Sequence, residues 1–226
     1  MAVDLLRIEL SVLWGFDGEG RVTGPDDLVL GVAADGVTAA VSPAVPDGLA
    51  AALLDRAGGN DPVGACLELL GPGATVSSWP SFLVPDGVSY ELPGVTVLRP
   101  GDELRAPRPQ NWEPEEWEDL LGGGAGAPWA MIVRDEEVVS VCHTPRRAPE
   151  GAEAGTWTRE DHRGRGYAAA TTAVWSWLLP GPRFYSTSAG NRSSQRVAAR
   201  LGLTELGAIW KLNRPCGPPR SPGCGR

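Results

Sequence analysis

Residues 162–170 read HRGRGYAAA. Two glycines alternate with two arginines, and a run of small residues that reads as a helix follows at once. Gly164 and Gly166 remove side chains and let the backbone turn sharply. Arg163 and Arg165 add positive charge. The segment before them, EAGTWTRE (153–160), reads as a strand. The combination predicts strand, glycine turn and helix, with the backbone of the turn close to an anion. The first N–H groups of a helix have no partner within it and carry the positive end of its dipole. Such a turn suits a phosphate, and nearby arginines add charge-assisted hydrogen bonds. The plain alternative is a surface turn with two solvated arginines.

Other nucleotide motifs fit less well. Gly164-x-Gly166-x-x-Ala169 matches a dinucleotide-binding fingerprint, but that fold needs an acidic residue about 20 positions on. Residues 181–191, GPRFYSTSAGN, contain no acid. A phosphate-binding loop of the Gly-Lys-Ser/Thr kind is absent. Arginine–glycine tracts that bind single-stranded RNA are long and disordered, whereas this one is short and lies between a strand and a helix.

The remaining punctuation divides the chain into an N-terminal α/β region (1–92), a better-marked domain (93–213) and a Pro/Gly-rich, disordered tail (214–226). In the first part, residues 4–14 fit a helix or a strand, and 28–43 read as two strands around Ala34-Asp35-Gly36. Residues 46–59 read as a helix stopped at Gly58, 66–71 as a second helical piece, and 75–85 as extended chain broken by Pro80 and Pro85. In the second part, 94–100 reads as a strand and 112–123 as a helix with Pro114 in its first turn. A hairpin is expected around Glu136-Glu137, then the strand 153–160 and the helix after the glycine turn. A strand (182–190), a helix capped by Asn191 and stopped by Gly202, and a strand (205–212) follow. The order β-α-β-β-β-α-β-α-β predicts an α/β fold, an α+β mixed sheet with helices packed on it. Trp175 and Trp177 lie two apart on a helix, so at least one is expected to pack on the sheet.

Composition narrows the function classes. The formal charge of −8 argues against a nucleic-acid partner, which would call for a basic patch on a basic domain. It is compatible with a cationic substrate. Of the 20 basic residues only Lys211 is a lysine. No apolar run reaches the roughly 18 residues of a membrane span, and Asp4, Arg7 and Glu9 interrupt the first segment, so neither membrane nor signal peptide is expected. Cys66, Cys142, Cys216 and Cys224 show no metal-ligand spacing. A reduced, cytoplasmic setting and no metal are therefore expected.

Arg163-Gly164-Arg165-Gly166-Tyr167-Ala168 resembles the Arg/Gln-x-x-Gly-x-Gly/Ala signature of the GCN5-related N-acetyltransferases (GNATs). Upstream, AEAGTWTREDHRGRGYA has that family's strand-then-loop spacing. Downstream, STSAGNRSSQRVAARLGL is similar to its strand, asparagine, helix and Leu-Gly-apolar ending. The resemblance covers about 93–212. The segment SSWPSFLVPDGV is similar to bacterial members with an extra N-terminal domain. Residues 1–92, which lack the signature, are read as acceptor-side structure or as a diverged GNAT-like half.

The resemblance implies acetyl-CoA as co-substrate. Backbone groups of Thr156, Trp157 and Thr158 would hold the pantetheine arm. Arg163, Gly164, Arg165, Gly166, Tyr167, Ala168 and Ala169 would hold the pyrophosphate. Asn191 and Ser194 match the family's asparagine and the small residue three positions on, near the CoA arm, although Asn191 is equally a helix cap. Glu153 stands where many members keep a glutamate base; a solvated carboxylate is the plain alternative. The chain departs from the pattern at Ala198, where many members have a tyrosine acid. Ser194 or Tyr185 could serve instead, Tyr185 being otherwise a packed strand residue. His143 is a second base candidate or an ordinary strand-end histidine, and His162 is expected to be exposed.

Two functions follow. One is transfer of an acetyl group to a primary amine in a ternary complex, the acceptor being a small-molecule or peptide amine and the protein a monomer or a homodimer. The other is a catalytically degenerate module that binds acyl-CoA or mediates assembly.

Overall fold

The computed structural model describes residues 1–215. The chain forms two compact units, Met1–Trp79 with the strand from Gly207, and Pro80–Leu206. The sequence punctuation divides the chain at 92/93 and groups 205–212 with the second half, whereas these units divide at 79/80 and at 206/207. The tail read as disordered lies outside the described residues from 216 onward.

In the first unit, helix α1 (Ala2–Trp14) precedes strands β1 (Leu28–Ala33) and β2 (Gly36–Val41), then α2 (Asp47–Ala57) and α3 (Pro62–Leu70). The 4–14 ambiguity resolves as a helix, because Asp35 in the β1–β2 turn receives the N–H groups of Ala2 and Val3 at 2.8 and 3.1 Å. β1 pairs antiparallel with β2 on one side and with β8 (Thr204–Asn213) on the other, in register Leu28↔Val41 and Leu28↔Leu212. Leu28, Leu30 and Leu212 face the core built by Leu53, Cys66 and Leu70 of α2 and α3. Each fully buried leucine contributes about 1.5–3 kcal/mol. The opposite face meets α1 at Gly31, where a Cβ would stand 2.8 Å from the Cβ of Leu6.

In the second unit β3 (Thr75–Leu83) pairs with β7 (Arg183–Ser186) through Ser81–Leu83. The order continues β7-β6-β5-β4, with β4 Gly126–Arg134, β5 Glu137–Ala148 and β6 Gly151–Thr158. Only β6 and β7 are parallel; the other pairs of this unit are antiparallel. Helix α4 (Pro114–Leu121) packs through Trp117 and Leu120 on Trp129, Met131 and Val141. Helices α5 (Tyr167–Ser176) and α6 (Arg192–Leu201) pack with Ala152, Ala154 and Cys142, whose side chains point the other way. The sheet is thus mixed and covered on both faces.

Several expectations are corrected. Residues 94–100 form no strand. They contribute one bridge, Leu98 with Met131, and pack half-buried Val95 and Val97 against the core instead of extending a ladder. The hairpin turns at Asp135-Glu136, both at positive φ (50° and 62°), one residue earlier than read. Such a pair of left-handed residues matches the strand twist. β7 ends at Ser186 rather than 190. Trp175 is fully buried and donates to Thr144 Oγ1 at 2.9 Å, whereas Trp177 is 65% exposed.

Candidate functional site

β6 carries the site, and its alternation decides what faces where. Ala152 and Ala154 point to the α5–α6 side, so Thr156 follows them. Glu153, Gly155 and Trp157 point to the α4 side, where Trp157 packs on the cluster of Trp117 and Val141. The parallel ladder between β6 and β7 is short. It runs over Ala152↔Arg183 and Glu153↔Phe184. β5 continues to pair with β6 out to Thr158. Beyond Glu153, therefore, the backbone edge of Ala154–Thr158 that faces β7 lies outside that ladder.

Glu153 stands where this splay begins. It is 5% exposed, and its Oε1 accepts from the N–H and the hydroxyl of Ser186, each at 2.7 Å. Its Oε2 is buried without a partner among the described residues. Burial pushes the carboxyl up to about 7, against the opposing pull of the two Ser186 donors. A carboxyl poised there exchanges a proton near neutral pH. Ser186 has no signal in the sequence; only the parallel register brings it to Glu153.

His143 lies on the same face, paired with Gly155. Its ring meets Trp112 edge-on at 4.9 Å. A Cβ at residue 155 would stand 2.5 Å from His143 Nε2, so the imidazole occupies space that only a glycine leaves. Burial lowers the imidazole to about 4, which keeps it neutral at physiological pH. Further along this face a cavity of about 590 Å³ is lined by Arg108, Gln110, Asn111, Glu137, Trp157 and Arg159, among others.

On the opposite face the Tyr185 hydroxyl is buried and faces Ser194 and Thr156. No hydrogen bond of good geometry satisfies it among the described residues, and burial raises its pKa. Tyr185 is thus packed in the core, with its polar end brought to two of the other predicted residues. Asn191 is exposed and caps α6, accepting from the Ser194 N–H at 3.1 Å. Ala198 is buried in the core.

The glycine turn forms as expected. Glu160–His162 make one 3₁₀ turn, and Gly164 and Gly166 take φ of 79° and 87°. Gly166 is the N-cap of α5, and no side chain caps that helix. By helix geometry the N–H groups of Tyr167, Ala168 and Ala169 are left without intrahelical partners. A Cβ at Gly164 would meet open space. Arg163 Nε donates to the Thr158 carbonyl at 3.3 Å, and an Arg165 Nη to the Asp161 carbonyl at 3.2 Å. Thr158 Oγ1 is engaged with Ser140 Oγ at 2.9 Å. His162 is buried, contrary to expectation, because it stacks on Tyr167 at 6.1 Å and meets Arg159 at 2.9 Å. Tyr90, Arg134 and Arg200 also reach this turn. Loop and helix-end residues of this kind carry no motif in the sequence.

Residues 98–204 match the family profile described as an acetyltransferase (GNAT) domain. Over that segment the chain carries a GNAT acetyltransferase domain, with an additional N-terminal region before it. A GNAT-family acetyltransferase structure from Colwellia psychrerythraea is similar at 14% identity, covering 87% of this chain and 83% of that one, with a TM-score of 0.51. A protein from Novosphingobium aromaticivorans assigned to the GNAT family shares 22% identity over 62% of this chain and 67% of that one, TM-score 0.43. A GCN5-related N-acetyltransferase from Kribbella flavida shares 16% over 72% and 66%, TM-score 0.46. At 14% identity the likeness to the Colwellia psychrerythraea structure is one of fold. No curated protein matches the chain. Among the described residues no cluster of His, Cys, Asp and Glu could hold a metal, and no helix is long and apolar enough to cross a membrane.

Proposed function

We propose that the chain transfers an acetyl group from acetyl-CoA to a primary amine by direct attack in a ternary complex. The observation that supports this best is Glu153, a buried carboxyl raised to about 7 at the point where the β6–β7 ladder ends. In this reading the pyrophosphate sits at the N–H groups of Tyr167, Ala168 and Ala169, beside Gly164 and within reach of Arg163 and Arg165. The pantetheine arm lies along the open edge of Thr156, Trp157 and Thr158, with Asn191 and Ser194 at its other side.

The acceptor ammonium loses a proton to the Glu153 carboxylate, directly or through a water. The neutral amine attacks the thioester carbon, the C–N bond forms, and the C–S bond breaks. The nitrogen sheds its second proton to solvent as the amide forms, and the thiolate takes a proton from a donor that solvent then reprotonates. With alanine at 198, the Tyr185 hydroxyl, backed by Ser194, is the donor we assign. The acceptor enters on the Glu153–Trp157 face, which holds the 590 Å³ cavity. The reaction needs no metal. A cytoplasmic location and either a small-molecule or a peptide amine fit this reading, without a nucleic-acid or membrane partner.

Ala198 favours a second reading, a degenerate domain that binds acyl-CoA without turnover. Calorimetric titration with acetyl-CoA, comparing wild type with Gly164→Glu/Gly166→Glu, tests the shared premise. Micromolar binding that the variant loses supports the turn as cofactor site; absence of binding by folded wild type refutes both readings. An amine screen read by free-thiol release then separates enzyme from binding module.

A further inference from the structure

Tyr90 and Arg200 lie beside the glycine turn but belong to neither its loop nor its helix. Tyr90 comes from the segment before residue 98, where the match to the acetyltransferase profile begins. Its ring packs with Tyr167 and Ala170, and with Ala169 and Leu201. A Cβ on Gly166 would stand 2.9 Å from its hydroxyl and 3.3 Å from an Arg200 Nη. The Arg200 guanidinium lies over the Tyr90 ring, 5.9 Å from its centroid. These two side chains cover Gly166, which is buried, and leave the Gly164 side of the turn open.

Other cations come to the same turn. Arg134 and Arg165 face the Tyr167 hydroxyl, and Arg163 is held to the Thr158 carbonyl. Among the described residues none of Arg134, Arg163, Arg165 and Arg200 forms an ion pair. His162, 8% exposed and stacked on Tyr167, has an Nδ1 without a partner in the same turn. In a chain of net charge −8, positive charge is thus concentrated at this turn.

We propose that Arg200 and the Tyr90 hydroxyl form a second anion site beside the turn, and that it takes the 3′-phosphate of the CoA nucleotide. The proposal rests on the reading that the turn holds the CoA pyrophosphate. A phosphate monoester carries about two negative charges at neutral pH and three acceptor oxygens. A guanidinium beside a phenol hydroxyl supplies matching donors. Tyr90 holds the guanidinium in place through its ring, which lowers the ordering cost of binding.

The test is calorimetry with acetyl-CoA and its 3′-dephospho form. Wild type is expected to bind acetyl-CoA roughly tenfold more tightly, the factor for one charge-assisted hydrogen bond. Arg200→Met should bring acetyl-CoA to the level of the dephospho ligand while leaving that ligand within about twofold. Tyr90→Phe should remove part of the difference and keep the ring. Equal binding of both ligands by wild type, or equal weakening of both by Arg200→Met, overturns the second site and leaves the pyrophosphate reading standing. If neither ligand binds, the second site falls together with that reading.

Discussion

Glu153 is buried, and the proposed reaction uses its carboxyl as the base. Its pKa is raised from an ordinary 4.5 to about 7 by loss of water, with Ser186 holding one oxygen and the other without a partner among the described residues. The rate should therefore rise with pH up to about 7 and level off above it. Glu153→Gln should lower kcat roughly 10²- to 10⁴-fold and remove that rise, as a pH–rate profile would show. The stability effects have opposite signs at the two buried groups. Between pH 4.5 and about 7 the unfolded chain ionises Glu153 and the folded chain resists, so this residue weakens the fold as pH rises. His143 is lowered from 6.5 to about 4, so the unfolded chain binds its proton first and stability falls as pH drops through that window. Urea midpoints of Glu153→Gln and wild type should diverge from pH 4.5 to 7, the wild type losing ground. Gly155→Ala should cost about 1–3 kcal/mol by forcing the His143 ring aside, and less in a His143→Ala background.

At the scale of elements, α5 and α6 are set up differently at their N-termini. Asn191 caps α6 in the ordinary way, so Asn191→Ala should cost about 1 kcal/mol in chemical denaturation. α5 has a glycine cap in the left-handed region and no capping side chain, which leaves its first turn open to a ligand. Gly164→Ala pays for a φ of 79° in open space, roughly 1–2 kcal/mol. Gly166→Ala meets the same strain at 87° and also Tyr90 and Arg200, so it should be the more destabilising of the two in the same measurement.

For the whole molecule, the first compact unit draws on both halves of the described chain. Its strand β1 has β2 on one side and β8 on the other, and β8 pairs with it through Ala208–Leu212. A chain ended after residue 206 would leave β1 an edge strand with unpaired backbone groups. Amide exchange in Leu28–Ala33 should then accelerate markedly. Retention of wild-type protection would show that β8 contributes little to that unit.

The sequence alone determined what depends on neighbours along the chain. The two strands around Ala34-Asp35-Gly36, the Asn191 cap, the Gly202 stop and the strand–glycine–helix unit each rest on local backbone chemistry and each form, the first turn lying at Ala34-Asp35 with Gly36 opening β2. The same locality misled it at 94–100. Alternating apolar residues there pack half-buried side chains on the core and pair their backbone only at Leu98, and sequence pattern reports burial more directly than hydrogen bonding. His162 was misread because its burial comes from the stack on Tyr167 across the turn. Ser186 on Glu153, Gly155 beneath His143 and Tyr90 over Gly166 were decided by tertiary structure alone. These contacts join residues 12 to 76 positions apart, and strand register and loop path, which no local signal encodes, bring them within bonding distance.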